Sequence, residues 1–315
     1  MKVLITGGAG FIGSHLARFL IEKNDEVYII DSLHSYYSKE RKREHIKEIK
    51  NAGFFYFFEM DLLDREKTIS TIKEVEPDTI IHLAALPGVS YSISQPQKYV
   101  DYDIKATINV LEAAGQAGVQ KVIFASSSSV YGNSEGPCKE VMATGKVISP
   151  YSASKYAAES FCHVYEHLYG FKMIILRFFT VYGPWGRPDM AIAGFIKKLL
   201  NSEEVTVFGE GSARDYTYID DIVNGINLSI EKLHSSEIIN LGSGNPITME
   251  ALLDELKAYF PDMKVKREGS RKGDVEKTWA DIGKAGRLLG YKPAVSFSEG
   301  ISETVKWAKK NESIL

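Results

Sequence analysis

Cysteine is scarce in this 315-residue chain: Cys138 and Cys162 are the only two, and they form no CxxC or other close cluster. A disulfide framework and a cysteine-based zinc site are thereby excluded. Long apolar runs are also missing; no stretch approaches the roughly 18 residues of a membrane span, so no membrane partner is expected. The seven histidines make no HExxH or similar set, and no metal is expected. Nor is there an excess of one charge. The 38 basic and 41 acidic residues leave a net charge of -3, with a pI near 6.2, which argues against nucleic acid as a bulk partner. Residues 1–13 lack the charged start, apolar run and cleavage site of a secretory leader. A reducing, cytoplasmic setting is the expectation.

What the chain does contain is rhythm. Short β-branched runs at Lys2–Thr6, Glu26–Asp31, Phe54–Phe58, Thr79–Leu83, Lys121–Ser126 and Lys172–Phe178 alternate with helical patterns at Phe11–Lys23, Asp64–Val75, Gln97–Ala117 and Pro150–Tyr169. Such alternation predicts βαβ units, hence an α/β, doubly wound parallel sheet of Rossmann type. After about residue 179 glycine and proline cluster in Tyr182–Pro188 and the elements shorten. The expected organisation is a nucleotide-binding domain over 1–179 and a smaller C-terminal lobe over 180–315, with some segments returning to the main sheet. A ligand cleft is expected between the two, at the carboxyl edge of the strands. The run KERKREHIKEIK at Lys39–Lys50 reads as a solvated helix, its charges being mixed and Ile46 and Ile49 spaced helically.

Residues 3–13, VLITGGAGFIG, run from a strand through a glycine turn into a helix. Gly7, Gly10 and Gly13 permit the tight turn and the approach of a pyrophosphate to the helix N-terminus, where Phe11 and Ile12 begin the helix. Asp31 closes the next strand, 18 residues past Gly13. An acid there accepts from the adenosine ribose hydroxyls and repels a 2′-phosphate, and no Arg or Lys lies between Asp31 and Lys39; the expected cofactor is NAD. Asp61 and Leu62 are candidates for the adenine edge, with a helix cap as the alternative for Asp61.

Tyr151 and Lys155 form Y-x-x-x-K, which on a helix puts phenol and ammonium on one face. A nearby ammonium favours the phenolate and equips Tyr151 to take a proton from an alcohol. Just upstream, a strand pattern ends in Ser126-Ser127-Ser128-Ser129, and a hydroxyl from it can share that proton. TGGAGFIG, Asp31, His82-Leu83-Ala84-Ala85, SSSSVYG, YSASK and RDYTYIDD (Arg214–Asp221) together resemble the extended short-chain dehydrogenase/reductases that act on nucleotide sugars, from Met1 to about Lys309. The resemblance implies that Ser127 and Tyr151 share the proton and that Lys155 holds the nicotinamide ribose. It further implies that Leu83, Ala84 and Ala85 flank the cofactor and that Arg214 meets the nucleotide diphosphate.

Three reactions on that scaffold begin with oxidation at sugar C4. The related dehydratases carry Asp-Glu before VYG and the uronate decarboxylases carry Glu there; this chain has Ser128 and Ser129. The remaining fate of the 4-ketone is return of hydride to its other face, which is 4-epimerisation. The segment Arg177–Met190, RFFTVYGPWGRPDM, looks especially like that of UDP-glucuronate 4-epimerases. A carboxylate at C6 would be held by groups that donate, and Ser128, Ser129, Thr180 and Arg187 are the candidates. Arg187 serves a diphosphate equally well on sequence grounds, and Arg177, inside a strand pattern, reads as structural. Where that group often has AGVRYS this chain has PGVSYS, so Ser90 replaces an arginine. Asp274 is a candidate for the uridine ribose and Phe208 for the uracil ring, with an exposed loop acid and a core aromatic as the alternatives. A salt bridge to Asp215 or Asp220 is the alternative for Arg214. His82 reads as a satisfied core residue, Trp185 and Trp279 as packing. The expected activity is an isomerase's, UDP-glucuronate to UDP-galacturonate. Alternatives are a UDP-glucose/UDP-galactose 4-epimerase, a decarboxylase and a non-catalytic NAD-binding regulator. In this family the helices at Gln97–Ala117 and Pro150–Tyr169 pair across a two-fold axis, which implies a homodimer; the sequence alone equally allows them to be buried within the monomer.

Overall fold

In the computed structural model, β1 (Lys2–Thr6) runs through a glycine turn into α1 (Phe11–Glu22), and the alternation continues. β2 (Glu26–Asp31), α2 (Lys39–Ala52), β3 (Tyr56–Glu59), α3 (Arg65–Val75) and β4 (Thr79–His82) follow, then α4 (Val89–Ser94), α5 (Pro96–Tyr99), α6 (Ala106–Gln116), β5 (Lys121–Ser127), α7 (Pro150–Tyr169) and β6 (Lys172–Phe178). The remainder comprises β7 (Thr180–Tyr182), α8 (Ala191–Leu200), β8 (Val205–Phe208), β9 (Ala213–Tyr218), α9 (Ile219–Lys232), β10 (Glu237–Leu241), β11 (Pro246–Thr248), α10 (Met249–Lys257), β12 (Val265–Glu268), α11 (Gly283–Leu289) and α12 (Phe297–Lys310). The structure describes all residues except 135, 210, 270–272 and 274.

Seven of these strands form one parallel sheet in the order β10-β6-β5-β4-β1-β2-β3. Its inner strands are buried on both faces, as helices on both sides demand; Thr79–His82 is buried throughout. From β1 the chain proceeds outward to β2 and β3, then crosses to β4 on the other side. That reversal opens a crevice beyond the carboxyl ends of β1 and β4, where sheets of this kind bind ligands. β10, far along the chain, enters the same sheet beside β6, with Leu241 opposite Phe178. Two small sheets, β11-β9-β7 and β12-β8, stand apart from it. Among the described residues no helix is long and apolar enough to cross a membrane, and both cysteines are buried and unpaired.

Three expectations need correction. The third strand begins at Tyr56 rather than Phe54, which is 76% exposed with its ring edge-on to Tyr56; an aromatic run signals strand whether or not its first residue joins the sheet. The pattern Gln97–Ala117 is not one helix. A π-helical turn at Val100–Lys105 separates α5 from α6, and it turns Asp103 into the protein; such turns recur at functional sites. Finally, α2 is no merely solvated helix. Arg41, Lys42, His45 and Ile49 form a buried stripe at helical spacing, with Arg41 donating to the Gly186 carbonyl at 2.6 Å and lying 5.9 Å from the Trp185 ring centre. Trp185 is itself buried at φ +63°, edge-on to His45. Long polar side chains there cover the aromatic rings with their stems.

Candidate active site

A cavity of about 920 Å³ occupies the crevice, running from the glycine turn to Arg187 and Arg214. At its nucleotide end Gly7 has φ +74°, and a Cβ there would stand 2.8 Å from the Ala84 nitrogen. Gly10 caps α1 in extended conformation. At Gly13 a Cβ would collide with the Gly7 carbonyl oxygen and stand 2.7 Å from the Gly8 Cα. The turn is therefore closed to side chains, and its helix N-terminus faces the cavity with unpaired N–H groups. Phe11, Ile12, Leu62, Leu83, Ala84 and Ala85 line the walls beside it.

Asp31 sits where its strand ends, with Oδ2 accepting from Ala9 N–H at 3.0 Å and Oδ1 from Leu33 N–H at 2.8 Å. Burial raises its carboxyl above the usual range, against the charge of Lys42 and those two N–H donors. Lys42 lines the cavity, donates to the His34 carbonyl at 2.9 Å and faces the Tyr37 ring at 4.8 Å. The stretch without Arg or Lys after Asp31 thus does not leave that carboxylate alone. α2 brings a cation back to it. His45 on the same helix donates from Nδ1 to the Ala9 carbonyl at 2.8 Å. The Ala9 peptide is consequently pinned at both ends, by Asp31 and by His45. Burial lowers the His45 pKa to about 3, so the ring is neutral. Asp61 lines the cavity and accepts from Leu63 N–H at 2.9 Å; the cap of α3 is Asp64 instead.

The chemical end is built by α7 and the end of β5. Ser149 caps α7 and Pro150 occupies its first turn, which fixes where the helix starts and so where Tyr151 points. Tyr151 lines the cavity with its ring 6.0 Å from that of Tyr99. Lys155, one turn on, is buried and donates to the Ala125 carbonyl at 3.0 Å. Buried charges need partners. Asp103, delivered by the π turn, serves here: its charge reaches Lys155, while Oδ1 accepts from Leu86 N–H at 2.8 Å and Oδ2 from the Ser154 hydroxyl at 2.7 Å. Burial raises the Asp103 pKa and Lys155 opposes that rise. The residue was missed in sequence; its one signal was an acid in a mainly apolar helical pattern.

Ser127, Ser128, Ser129 and Thr180 all line the cavity. Ser127 Oγ accepts from Ser129 N–H at 3.1 Å, and Ser129 Oγ is buried with no hydrogen-bond partner among the described residues. Arg187 is there too, but paired with Asp189. The two structural readings hold. Arg177 binds Glu159 through two nitrogens, at 2.9 and 2.7 Å, and buried His82 bridges Thr6 and Thr107 at 2.6 and 3.0 Å.

Arg214 lines the far side of the cavity and donates to the Ala213 and Glu276 carbonyls at 3.0 Å. It makes no ion pair with Asp215. That carboxylate instead ties a loop together, accepting from Ser243, Gly244 and Ala280 N–H groups at 2.7, 3.0 and 3.0 Å. Phe208, at the end of β8, is not among the described residues lining the cavity. Asp274 lies outside the described residues. Ser90 lines the rim, exposed, and Trp279 donates to the Gly244 carbonyl at 2.9 Å.

The comparisons agree with this geometry. The profile of the NAD dependent epimerase/dehydratase family matches residues 3–242. A UDP-glucuronate 4-epimerase of Thermodesulfobacterium geofontis is 40% identical over 316 residues, covering 99% of this chain and 97% of that protein. A UDP-glucuronic acid 4-epimerase from Bacillus cereus, solved with UDP-glucuronic acid and NAD, superposes with a TM-score of 0.93 at 35% identity over 98% of this chain and 99% of its own. A UDP-glucose 4-epimerase from Thermotoga maritima, solved with UDP-glucose, gives 0.90 at 34% over the same shares. Sequence and fold correspond nearly end to end, and the chain belongs to the NAD-dependent epimerase/dehydratase family.

Proposed function

We propose that this protein is a UDP-glucuronate 4-epimerase, interconverting UDP-glucuronate and UDP-galacturonate. The observation that carries the choice of an acid is the set of hydroxyl residues lining the cavity, Ser127, Ser128, Ser129 and Thr180, together with Arg187. A uronate carboxylate accepts from such hydroxyls, while a Glu or Asp in their place would repel it. The Thermotoga maritima UDP-glucose enzyme is nearly as similar in fold, so the substrate rests on the hydroxyls rather than on likeness.

The residues present fit NAD: a turn closed to side chains, a helix N-terminus for the pyrophosphate, and Asp31 for the ribose hydroxyls. The chemistry NAD supplies when bound is reversible hydride exchange with C4, leaving no net redox change. Tyr151 takes the O4 proton as C4 is oxidised, with the Ser127 hydroxyl in the relay, and returns it on the opposite face. Lys155, on the same face of α7, stabilises the phenolate and holds the nicotinamide ribose. Arg214 holds the diphosphate while the sugar turns about its linkage to it. Ser128, Ser129, Thr180 and Arg187 hold the C6 carboxylate so that the 4-keto intermediate, a β-keto acid, keeps its CO2. An intact Tyr151–Lys155 pair serves no purpose in a regulator that only binds NAD.

Proton NMR of the purified protein with UDP-glucuronate, and in parallel with UDP-glucose, tests this. The expected result is growth of the UDP-galacturonate anomeric signal without CO2, and release of CO2 once Ser129 is replaced by alanine. Turnover of UDP-glucose alone would overturn the reading. We further propose a homodimer through α6 and α7, where Val164, Leu168 and Tyr169 of α7 and Val100 of the π turn leading into α6 remain 43–63% exposed; exposed apolar side chains on these elements favour an interface. Light scattering is expected to give twice 35.1 kDa, and a monomer mass at micromolar concentration would count against it.

A further inference from the structure

Asp189 lies within the segment Arg177–Met190, where the sequence alone suggests no role for it, yet it holds the cavity's arginine in place. Its Oδ1 accepts from Arg187 Nε at 3.0 Å and its Oδ2 from Nη2 at 2.5 Å. The same Oδ2 accepts from the Tyr36 hydroxyl at 3.1 Å, and the guanidinium carbon lies 6.0 Å from the Tyr36 ring centre. Arg187 is thereby gripped from two sides, by its own loop and by the loop that follows Asp31. A guanidinium has five N–H groups in a fixed plane. Asp189 takes one edge, and Nη1 has no acceptor among the described residues. The unused end of the fork is left for a ligand, in the cavity that Tyr151 also lines.

We infer that Asp189 is a positioning residue: it aims the free end of Arg187 at the C6 carboxylate and so holds the C5–C6 bond of the 4-keto intermediate out of line with the C4 carbonyl π-system. The inference rests on the UDP-glucuronate reading above. A β-keto acid loses CO2 when its C5–C6 bond lines up with the carbonyl π-system, so clean epimerisation requires a donor that does not follow the carboxylate as it swings. An unpaired arginine, with its several side-chain torsions, would follow it. One whose other edge is fixed by Asp189 and Tyr36 does not.

The test uses the full-length, NAD-loaded protein and Asp189→Asn, with three readouts: epimerisation rate, CO2 released per turnover, and inhibition by UDP, which lacks the sugar. The rate is expected to fall on the order of tenfold as the donor loses its alignment. CO2 is expected to appear, and the inhibition constant for UDP to stay unchanged. Tyr36→Phe, which keeps the ion pair and loses one hydrogen bond, is expected to release less CO2 than Asp189→Asn but more than the unaltered protein. Clean epimerisation by Asp189→Asn overturns the inference. Weakened UDP inhibition overturns it as well, by giving the pair to the diphosphate. Should Asp189→Asn fail to fold or to retain NAD, clean epimerisation by Tyr36→Phe decides against it. If the unaltered protein leaves UDP-glucuronate untouched, the substrate reading has failed and the inference falls with it, a result that needs no variant to recognise.

Discussion

Replacing Tyr151 by phenylalanine is expected to lower kcat by about a thousandfold while leaving NAD content and sugar-nucleotide affinity close to normal. The change removes one oxygen and keeps the ring, so the edge contact with Tyr99, whose centre is 6.0 Å away, survives. The start of α7 is set by Ser149 and Pro150 and does not involve the phenol. What is lost is the acceptor for the O4 proton. Ser127 cannot replace it, since an unassisted hydroxyl is too weak a base, and Lys155 is committed to the Ala125 carbonyl at 3.0 Å. Near-normal turnover by the variant would remove Tyr151 from the role of base and point to water or Ser127. Altered NAD content would show instead that the phenol holds the cofactor.

The parts of this site that were legible in sequence are those whose meaning is carried by short spacing. Gly7, Gly10 and Gly13 must be small because they fold back on one another, and Tyr151 and Lys155 share a helix face; both facts follow from a handful of adjacent residues. Asp31 ends a strand that could be recognised from its own six residues. Asp103, His45, Lys42 and Asp189 were hidden for the opposite reason: each acts on a residue remote in sequence or on a neighbour within an irregular loop. His45 reaches Ala9 across 36 positions, Ser154 meets Asp103 across 51, and Asp189 meets Tyr36 across 153. The π turn that exposes Asp103 to Lys155 leaves no trace in hydrophobic periodicity. The α2 stripe of Arg41, Lys42, His45 and Ile49 did leave one, but charged residues on a helix are ordinarily read as facing water. The departure at Ser90 has no structural account beyond its exposed place on the cavity rim.

Gly13→Ala carries the second large expectation: loss of retained NAD, with an affinity at least about a hundredfold weaker, equivalent to roughly 3 kcal/mol. One methyl group is enough because its nearest neighbours are backbone, the Gly7 carbonyl and the Gly8 Cα at 2.7 Å, rather than side chains that rotate away. Relief must come from moving α1 off the turn or opening the turn itself. Neither move is free. Gly7 N–H donates to the Ile30 carbonyl at 2.8 Å and Gly10 N–H to the Gly7 carbonyl at 3.0 Å, while Asp31 and His45 hold the Ala9 peptide between them. Overpacking a close-fitted interior costs about 1–3 kcal/mol in stability, so the variant is expected to fold with a lower melting temperature that added NAD no longer raises. The measurement is NAD released on denaturation, per mole of protein, together with melting curves with and without NAD. Gly269→Ala, where an added Cβ meets nothing within 4 Å among the described residues, is the matched control and is expected to behave as the unaltered protein. If Gly13→Ala keeps a full complement of NAD, the pyrophosphate does not lie against this turn, and the assignment of Gly7, Gly10 and Gly13 fails with it.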